Sequence, residues 1–398
     1  MGVGVTTKEM SNIKSWLEIL GVSAKLGLTS FGGPVAHLGY FYNEYVRRRK
    51  WMDEQSYADL VAMCQFLPGP ASSQVGIGIG LLRGGWIGAL AAWIGFTLPS
   101  AVAMALFAYV LQGADMMNAG WIHGLKLVAV AIVAQAVWGM GQKLASDRSR
   151  ASVAVLAAVI VLLWPTALGQ LIVVVAAGMA GLVLYGSTSA PAIAEGQTPV
   201  SRKAGAACLL IFAALLFLLP LLREGFSSFR LALFDSFYRA GSLVFGGGHV
   251  VLPLLERETV PSGWLSGEQF LAGYGAAQAV PGPLFTFAAY IGAVADGWQG
   301  ALVATLAIFL PAFLLVGGAL PFWTLVRRLP LAQGALAGVN AAVVGILLAA
   351  LYDPIWTSSI RGAMDFAIAA ILLVMLMFWK LPPWAVVIAG ALAGALLG

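Results

Sequence analysis

Helix-breaking glycines and prolines, set beside cations within apolar sequence, are the residues of this chain best suited to chemistry, and they occur twice. Phe31-Gly32-Gly33 is followed further along by Gln65-Phe66-Leu67-Pro68-Gly69-Pro70. Phe245-Gly246-Gly247 is followed at nearly the same spacing by Gln278-Ala279-Val280-Pro281-Gly282-Pro283. Pro68 and Pro70 lack a backbone donor, and Gly69 permits a sharp turn between them. A helix restarting after Pro70 presents free N–H groups at Ala71, Ser72 and Ser73 with hydroxyls beside them, which suits an anion. Leu284, Phe285 and Thr286 take the equivalent places in the second copy. Gly32-Gly33 and Gly246-Gly247 permit positive φ, and amides in such a turn also cradle an anion. Packing kinks and small-residue helix contacts are the plain alternatives. Duplication of both motifs weighs against them.

Charge within apolar sequence points the same way. Lys25 lies six residues before Phe31, and Arg239 lies six before Phe245. A cation near the bilayer centre costs roughly 2.5–3.5 kcal/mol on insertion scales, so it marks a pathway or a partner. If the halves are inverted, Lys25 and Arg239 approach each other near the midplane, where only something doubly negative relieves their repulsion. That arrangement favours a dianionic substrate. The competing reading is neutralisation: Asp235 precedes Arg239 by four residues, a helical ion-pair spacing, and Glu18 precedes Lys25 by seven. Lys126 is a third cation in apolar sequence, with Asn340 at its repeat position. Proton coupling would need a titrating group on the path, and Asp235, His37 and His249 are the candidates.

The elements that must position these residues lie in a membrane. The chain is 60% hydrophobic and 10% charged, with a mean hydropathy of +0.90. Soluble domains carry about 25% charged residues, so this is a polytopic membrane protein whose partner is the lipid bilayer. The net charge of +5 sits mostly in short loops beside apolar spans, as membrane orientation requires, and implies no nucleic-acid partner. The first twelve residues lack the charged start and apolar core of a secretory signal. No H-E-x-x-H, nucleophile elbow, Walker-A loop or metal-spaced cluster is present, so neither an enzyme active site nor a cofactor or metal is expected.

Apolar elements near 13–30, 57–82, 85–112, 121–143, 151–167 and 169–186 form a first half, and six more near 229–253, 268–294, 297–323, 331–352, 362–380 and 382–398 form a second. Flanking residues keep the repeat register: Trp51 with Trp264, Trp86 with Trp298, Leu98-Pro99 with Leu310-Pro311, Gly124 with Gly338. The expected domains are an N-terminal transporter repeat over 1–186, a linker and intervening span over 187–228, and a C-terminal repeat over 229–398. Six elements plus one span separate the copies, and an odd number of crossings turns the second upside down. Making the first two elements of each half re-entrant keeps that parity and moves the Arg47–Lys50 run to the cytoplasmic side, as the positive-inside rule prefers. The expected fold is therefore an all-α polytopic membrane protein of two homologous six-element halves. They form an inverted repeat, with Gly/Pro-broken, re-entrant or half-helical elements at the start of each half.

Phe31-Gly32-Gly33-Pro34 with His37, Gln65 to Pro70, Phe245-Gly246-Gly247-Gly248-His249, and Gln278 to Pro283 together resemble the chromate ion transporter (CHR) family in its long, two-domain form. The likeness covers both halves. It implies a multi-pass carrier of the bacterial cell inner membrane that confers chromate resistance by exporting the dianion, by secondary active transport with alternating access. Chromate or sulfate, two tetrahedral dianions of similar size, would suit the same donors. Sulfate or other oxyanion transport is the nearest rival, and a membrane enzyme or sensor is the rival of another class. A homodimer is compatible with the sequence. The substrate-binding residues expected on these grounds are Lys25, Phe31, Gly32, Gly33, Gln65, Pro68, Gly69, Pro70, Ser72 and Lys126 from the first half. From the second come Arg239, Phe245, Gly246, Gly247, Gln278, Pro281, Gly282 and Pro283.

Overall fold

A computed structural model describes residues 7–113, 120–185, 199–245, 248–323 and 330–397. Gly246 and Gly247 lie outside the described residues. The described residues form fifteen principal α-helices and no strand. In the first half these are α1 (Thr7–Thr29), α2 (Gly33–Phe41), α3 (Glu54–Phe66), α4 (Ala71–Gly113), α5 (Gly120–Leu144), α6 (Arg148–Leu163) and α7 (Ala167–Leu184). The intervening span is α8 (Arg202–Gly225). The second half holds α9 (Phe229–Leu243), α10 (Val251–Thr259), α11 (Gly267–Ala277), α12 (Phe287–Ala319), α13 (Pro330–Ala350), α14 (Ala363–Met377) and α15 (Pro383–Leu397). A π-helical turn, Tyr42–Arg48, continues α2.

Local chemistry sets many of the starts. Asp53, Asp147, Thr166, Ser201 and Ser228 each accept a hydrogen bond from the backbone N–H three residues on, satisfying a donor that the helix cannot. Ser266 and Gln269 complete a capping box at α11. The outer faces carry apolar side chains. Leu163, Val183, Leu210 and Phe217 are all strongly exposed, and in a chain of this composition that surface meets acyl chains. Five helical stretches are long and apolar enough to cross a membrane, at 71–112, 120–144, 202–225, 284–322 and 333–359.

The stretches at 71–112 and 284–322 fold back on themselves rather than running as single rods. A continuous helix over Ala71–Gly113 would run about 64 Å, twice the roughly 30 Å hydrocarbon thickness. Instead Gly84 and Gly85 leave helical geometry (Gly85 at φ 62°), and the chain doubles back. A Cβ added to Gly80 would lie 2.3 Å from the Gly88 carbonyl oxygen, a contact that a straight helix cannot make across eight residues. The second half repeats the device. Asp296 and Gly297 break α12, and a Cβ at Gly292 would lie 2.2 Å from the Gly300 carbonyl oxygen. The sequence boundary between 57–82 and 85–112 coincides with this hairpin. The 57–82 stretch is itself divided into α3 and the first arm of α4 by residues 67–70.

The halves pack through equivalent small residues. Gly124 of α5 meets the Gly390 carbonyl of α15, and Gly338 of α13 meets the Ala177 carbonyl of α7. Contacts that close exclude any side chain and let two backbones approach. The largest apolar core draws on both halves, with Met104, Val133, Phe237, Tyr274, Phe287 and Phe309 among its buried members.

Candidate functional site

Both Pro-Gly-Pro segments stop a helix and turn the chain. Gly69 holds φ 119° and Gly282 holds φ 103°, values that L side chains rarely adopt. Each then donates its N–H across to the other half. Gly69 N–H bonds to the Val244 carbonyl at 2.6 Å, and Gly282 N–H bonds to the Ser30 carbonyl at 2.9 Å. Ser30 and Val244 immediately precede Phe31 and Phe245, so the two acceptors share one repeat position. Each glycine–proline break is thus tied to the glycine motif of the opposite half.

One of these junctions encloses a cavity of about 70 Å³. Gly32 and Gly33 enter it from the first half, with φ 96° and 77°. Gln278, Gly282 and His249 enter from the second half, and Gln135 of α5 lines it as well. Gly32 is also the N-cap of α2, and Pro34 occupies its first turn, a position where a missing N–H costs nothing. The positive end of a helix macrodipole therefore opens beside the cavity. Gln278 Nε2 is buried without a hydrogen-bond partner, a donor held ready for something in the cavity. His249 is anchored by a 2.7 Å bond between Nδ1 and the Tyr274 hydroxyl. Among the described residues, no charged side chain lines this space. Such a volume admits a few water-sized atoms, the scale of a tetrahedral oxyanion, and its donors are all neutral.

The cations lie elsewhere, each with a carboxylate. Lys25 bonds to Glu44 at 3.2 Å, and its side chain is half-exposed. Arg239 is held by Asp235 and Glu258, both at 3.0 Å, and Arg223 reaches the same two acids at 3.4 and 3.7 Å. Lys126 is buried and bonds to Glu268 at 2.9 Å. The four-residue spacing of Asp235 and Arg239 is realised. The seven-residue pairing of Glu18 with Lys25 is not, because Glu18 bonds to Arg49 and Arg83. Glu44 and Glu258, which take the two cations, were missed as partners. The signal was present, since Glu44 and Glu258 occupy equivalent repeat positions, in the same register that relates Lys25 to Arg239. Arg239 lines a second, largely apolar cavity of about 170 Å³ with Glu258, Ser236 and Gln170, and Lys25 does not share it.

The remaining motif residues divide between the two breaks. Pro68 and Pro70 accept hydrogen bonds from Gln74, through Nε2 at 2.7 Å and the backbone N–H at 2.9 Å. Pro283 accepts from Thr286, through both its N–H and its hydroxyl. Ser72 sits 3.3 Å from His37 Nδ1. Gln65 is exposed, Phe31 and Pro281 are half-buried, and Phe245 packs on the main core.

A family model described as chromate transporter matches residues 17–182 and again residues 231–395. The chain belongs to the chromate transporter family. The starts of the two matches keep the register of the paired motifs, so each half carries the family pattern by itself. The chromate transport protein of Pseudomonas aeruginosa is 29% identical, over 98% of this chain and 95% of its own length. The probable chromate transport protein of Synechococcus elongatus is 28% identical, over 94% and 93%. An uncharacterized transporter of Bacillus subtilis, YwrA, is 32% identical over 42% of this chain yet 95% of its own length. A relative about one repeat long thus exists beside full-length relatives.

Proposed function

We propose that this protein exports chromate across the bacterial inner membrane by alternating access, and so confers chromate resistance. The observation that carries the reading is the cavity between Gly32-Gly33 of one half and Gln278-Gly282 of the other, in a chain with full-length relatives named chromate transport proteins. Residues 1–186 and 229–398 act as two inverted repeats, and the breaks at Gly69 and Gly282 lie where the repeats exchange hydrogen bonds. A site between repeats, built from broken helices, suits alternating access because rocking one repeat against the other exposes it to each side in turn.

Neutral donors suit a carrier. The Gly33 amide, Gln278 and His249 hold a dianion by hydrogen bonds and the α2 dipole, firmly enough to select it and loosely enough to release it. The salt-bridged Lys25, Lys126 and Arg239 hold the scaffold in place. The membrane potential supplies the drive. An interior-negative potential pushes anions outward by about 2.3 kcal/mol per charge per 100 mV.

Chromate uptake into sealed proteoliposomes tests this, with sulfate as competitor and a potassium-diffusion potential imposed in either sense. The expected result is chromate flux that follows the potential and falls in a Gln278→Leu variant. Sulfate flux with no chromate flux would transfer the site to sulfate, and chemical conversion without flux would favour an enzyme.

A further inference from the structure

The break in the first half is polar where the break in the second is apolar, and the difference is concentrated at buried positions. In the first half, Ser30, His37, Ser72, Ser73, Gln74 and Thr97 are all at least nine-tenths buried, with Ser30 bonded to the Gly282 break. Their repeat equivalents are Val244, Val251, Phe285, Thr286, Phe287 and Phe309, equally buried. The single polar member of the second set, Thr286, is satisfied by the Pro283 carbonyl at 2.8 Å. In the first set, Ser30 Oγ, His37 Nε2, Ser73 Oγ, Gln74 Oε1 and Thr97 Oγ1 are buried with no hydrogen-bond partner. Apolar side chains fill these places in the second half without loss of the break. The polar set is therefore not a requirement of the turn.

The set is contiguous and adjoins the substrate cavity. His37 Nδ1 meets Ser72 Oγ at 3.3 Å, and its ring packs edge-on against Phe96, next to Thr97. The ring also faces the backbone of Ser30. The Ser30 carbonyl takes the Gly282 N–H, and Gly282 lines the cavity. A Cβ on Gly282 would touch Ser100 Oγ at 2.8 Å, and that hydroxyl bonds to the Thr97 carbonyl.

Resting on the transport reading above, we propose that His37 is the proton-binding residue of the carrier, taking one proton when a dianion occupies the adjoining cavity. In the tautomer that takes this proton, Nδ1–H donates to Ser72 Oγ, and Nε2, which has no hydrogen-bond partner, carries the free lone pair. A proton arriving through the Ser/Thr/Gln set adds to Nε2, and the resulting imidazolium offsets half the substrate's charge at low dielectric. The cargo is then one proton with one dianion, carrying a single net negative charge. The buried titratable groups around α2 are Tyr57 and Cys64 from α3, and Tyr45 and Glu44 from the π-helical turn. Tyr57 bonds to the Leu38 carbonyl, Tyr45 to Ser23, and Glu44 to Lys25, Arg48 and Arg49. None of these four is bonded to His37. The groups that face it from α4, Ser72 and Phe96, are uncharged.

The test combines lumenal pyranine, current measurement and chromate flux in proteoliposomes at alkaline pH, where chromate is the dianion. Wild-type protein should take up close to one proton and carry close to one negative charge per chromate. His37→Gln should still exchange chromate, take up no proton, and carry twice the charge per chromate. Chromate binding, read by tryptophan fluorescence, should tighten about tenfold per unit fall in pH in the wild type and stay flat in His37→Gln. Ser72→Ala, which keeps the imidazole, should retain proton uptake at a reduced rate. Proton uptake and charge ratio unchanged in His37→Gln would overturn the proposal, as would their loss in His249→Gln but not in His37→Gln. Wild-type chromate flux carrying two charges and no proton would overturn it while leaving the transport reading intact. No chromate flux in the wild type would overturn both.

Discussion

At the scale of single residues, placement decides what each charge or donor contributes. Asp235 is almost fully buried between Arg239 and Arg223, whereas the Lys25 side chain is half-exposed beside Glu44. Removing one partner of a buried pair strands a charge, at roughly 3–5 kcal/mol, but an exposed pair contributes only about 0–1 kcal/mol. Asp235→Ala should therefore lower the thermal midpoint in detergent far more than Lys25→Ala, as fluorescence-detected size exclusion would show. Gln278 behaves differently because its amide donor has no internal partner to lose. Gln278→Leu should leave the midpoint near wild type and weaken chromate binding about tenfold, the worth of one hydrogen bond to a charged group. A large loss of stability with unchanged binding would make Gln278 a structural residue. The motif residues were legible in the sequence because glycine and proline advertise their backbone roles. Asp235 was legible from its spacing to Arg239, but Glu44 and Glu258 showed only in the repeat register, since they lie one element away from the cations they hold and helical spacing reports only partners on the same helix.

At the scale of elements, the breaks are the parts that matter. Gly69 and Gly282 share a positive φ and a cross-half hydrogen bond, but their surroundings differ. A Cβ at Gly282 would press on Ser100 Oγ at 2.8 Å and intrude on the cavity, whereas at Gly69 it would press on the Gln74 amide at 2.9 Å, and Gly69 does not line the cavity. Both substitutions to alanine strain the turn, by about 1–2 kcal/mol for a left-handed residue. Gly282→Ala should therefore reduce chromate flux, normalised to folded protein, more than Gly69→Ala does. Equal defects would mean that the turn, not the cavity, limits transport. The hairpin at Gly84-Gly85 was only partly visible in the sequence, as a boundary between apolar stretches. Hydropathy sees both arms as one long apolar run, and only the Gly80–Gly88 contact shows that the chain doubles back.

At the scale of the whole molecule, duplication was plain in the sequence, and the family pattern matches twice in the same register. Relative orientation was less legible, because it depended on counting crossings among elements that break and re-enter. The structure adds a symmetry relation, which inverted repeats place in the membrane plane and parallel repeats along its normal. Equivalent residues exchange equivalent hydrogen bonds, Gly69 with Val244 and Gly282 with Ser30, which is the signature of a local two-fold axis. If that axis lies in the membrane plane, Arg48 and its equivalent Ser262, both exposed, face opposite sides. The decisive measurement uses Arg48→Cys and Ser262→Cys, each made after the native Cys64 and Cys208 are replaced, and a membrane-impermeant thiol reagent applied to intact cells and to inverted vesicles. The account predicts that Arg48→Cys reacts only in inverted vesicles, because four adjacent cations resist translocation, and that Ser262→Cys reacts only in intact cells. Labelling of both positions from the same side would contradict it, making the repeats parallel and removing alternating access between inverted halves.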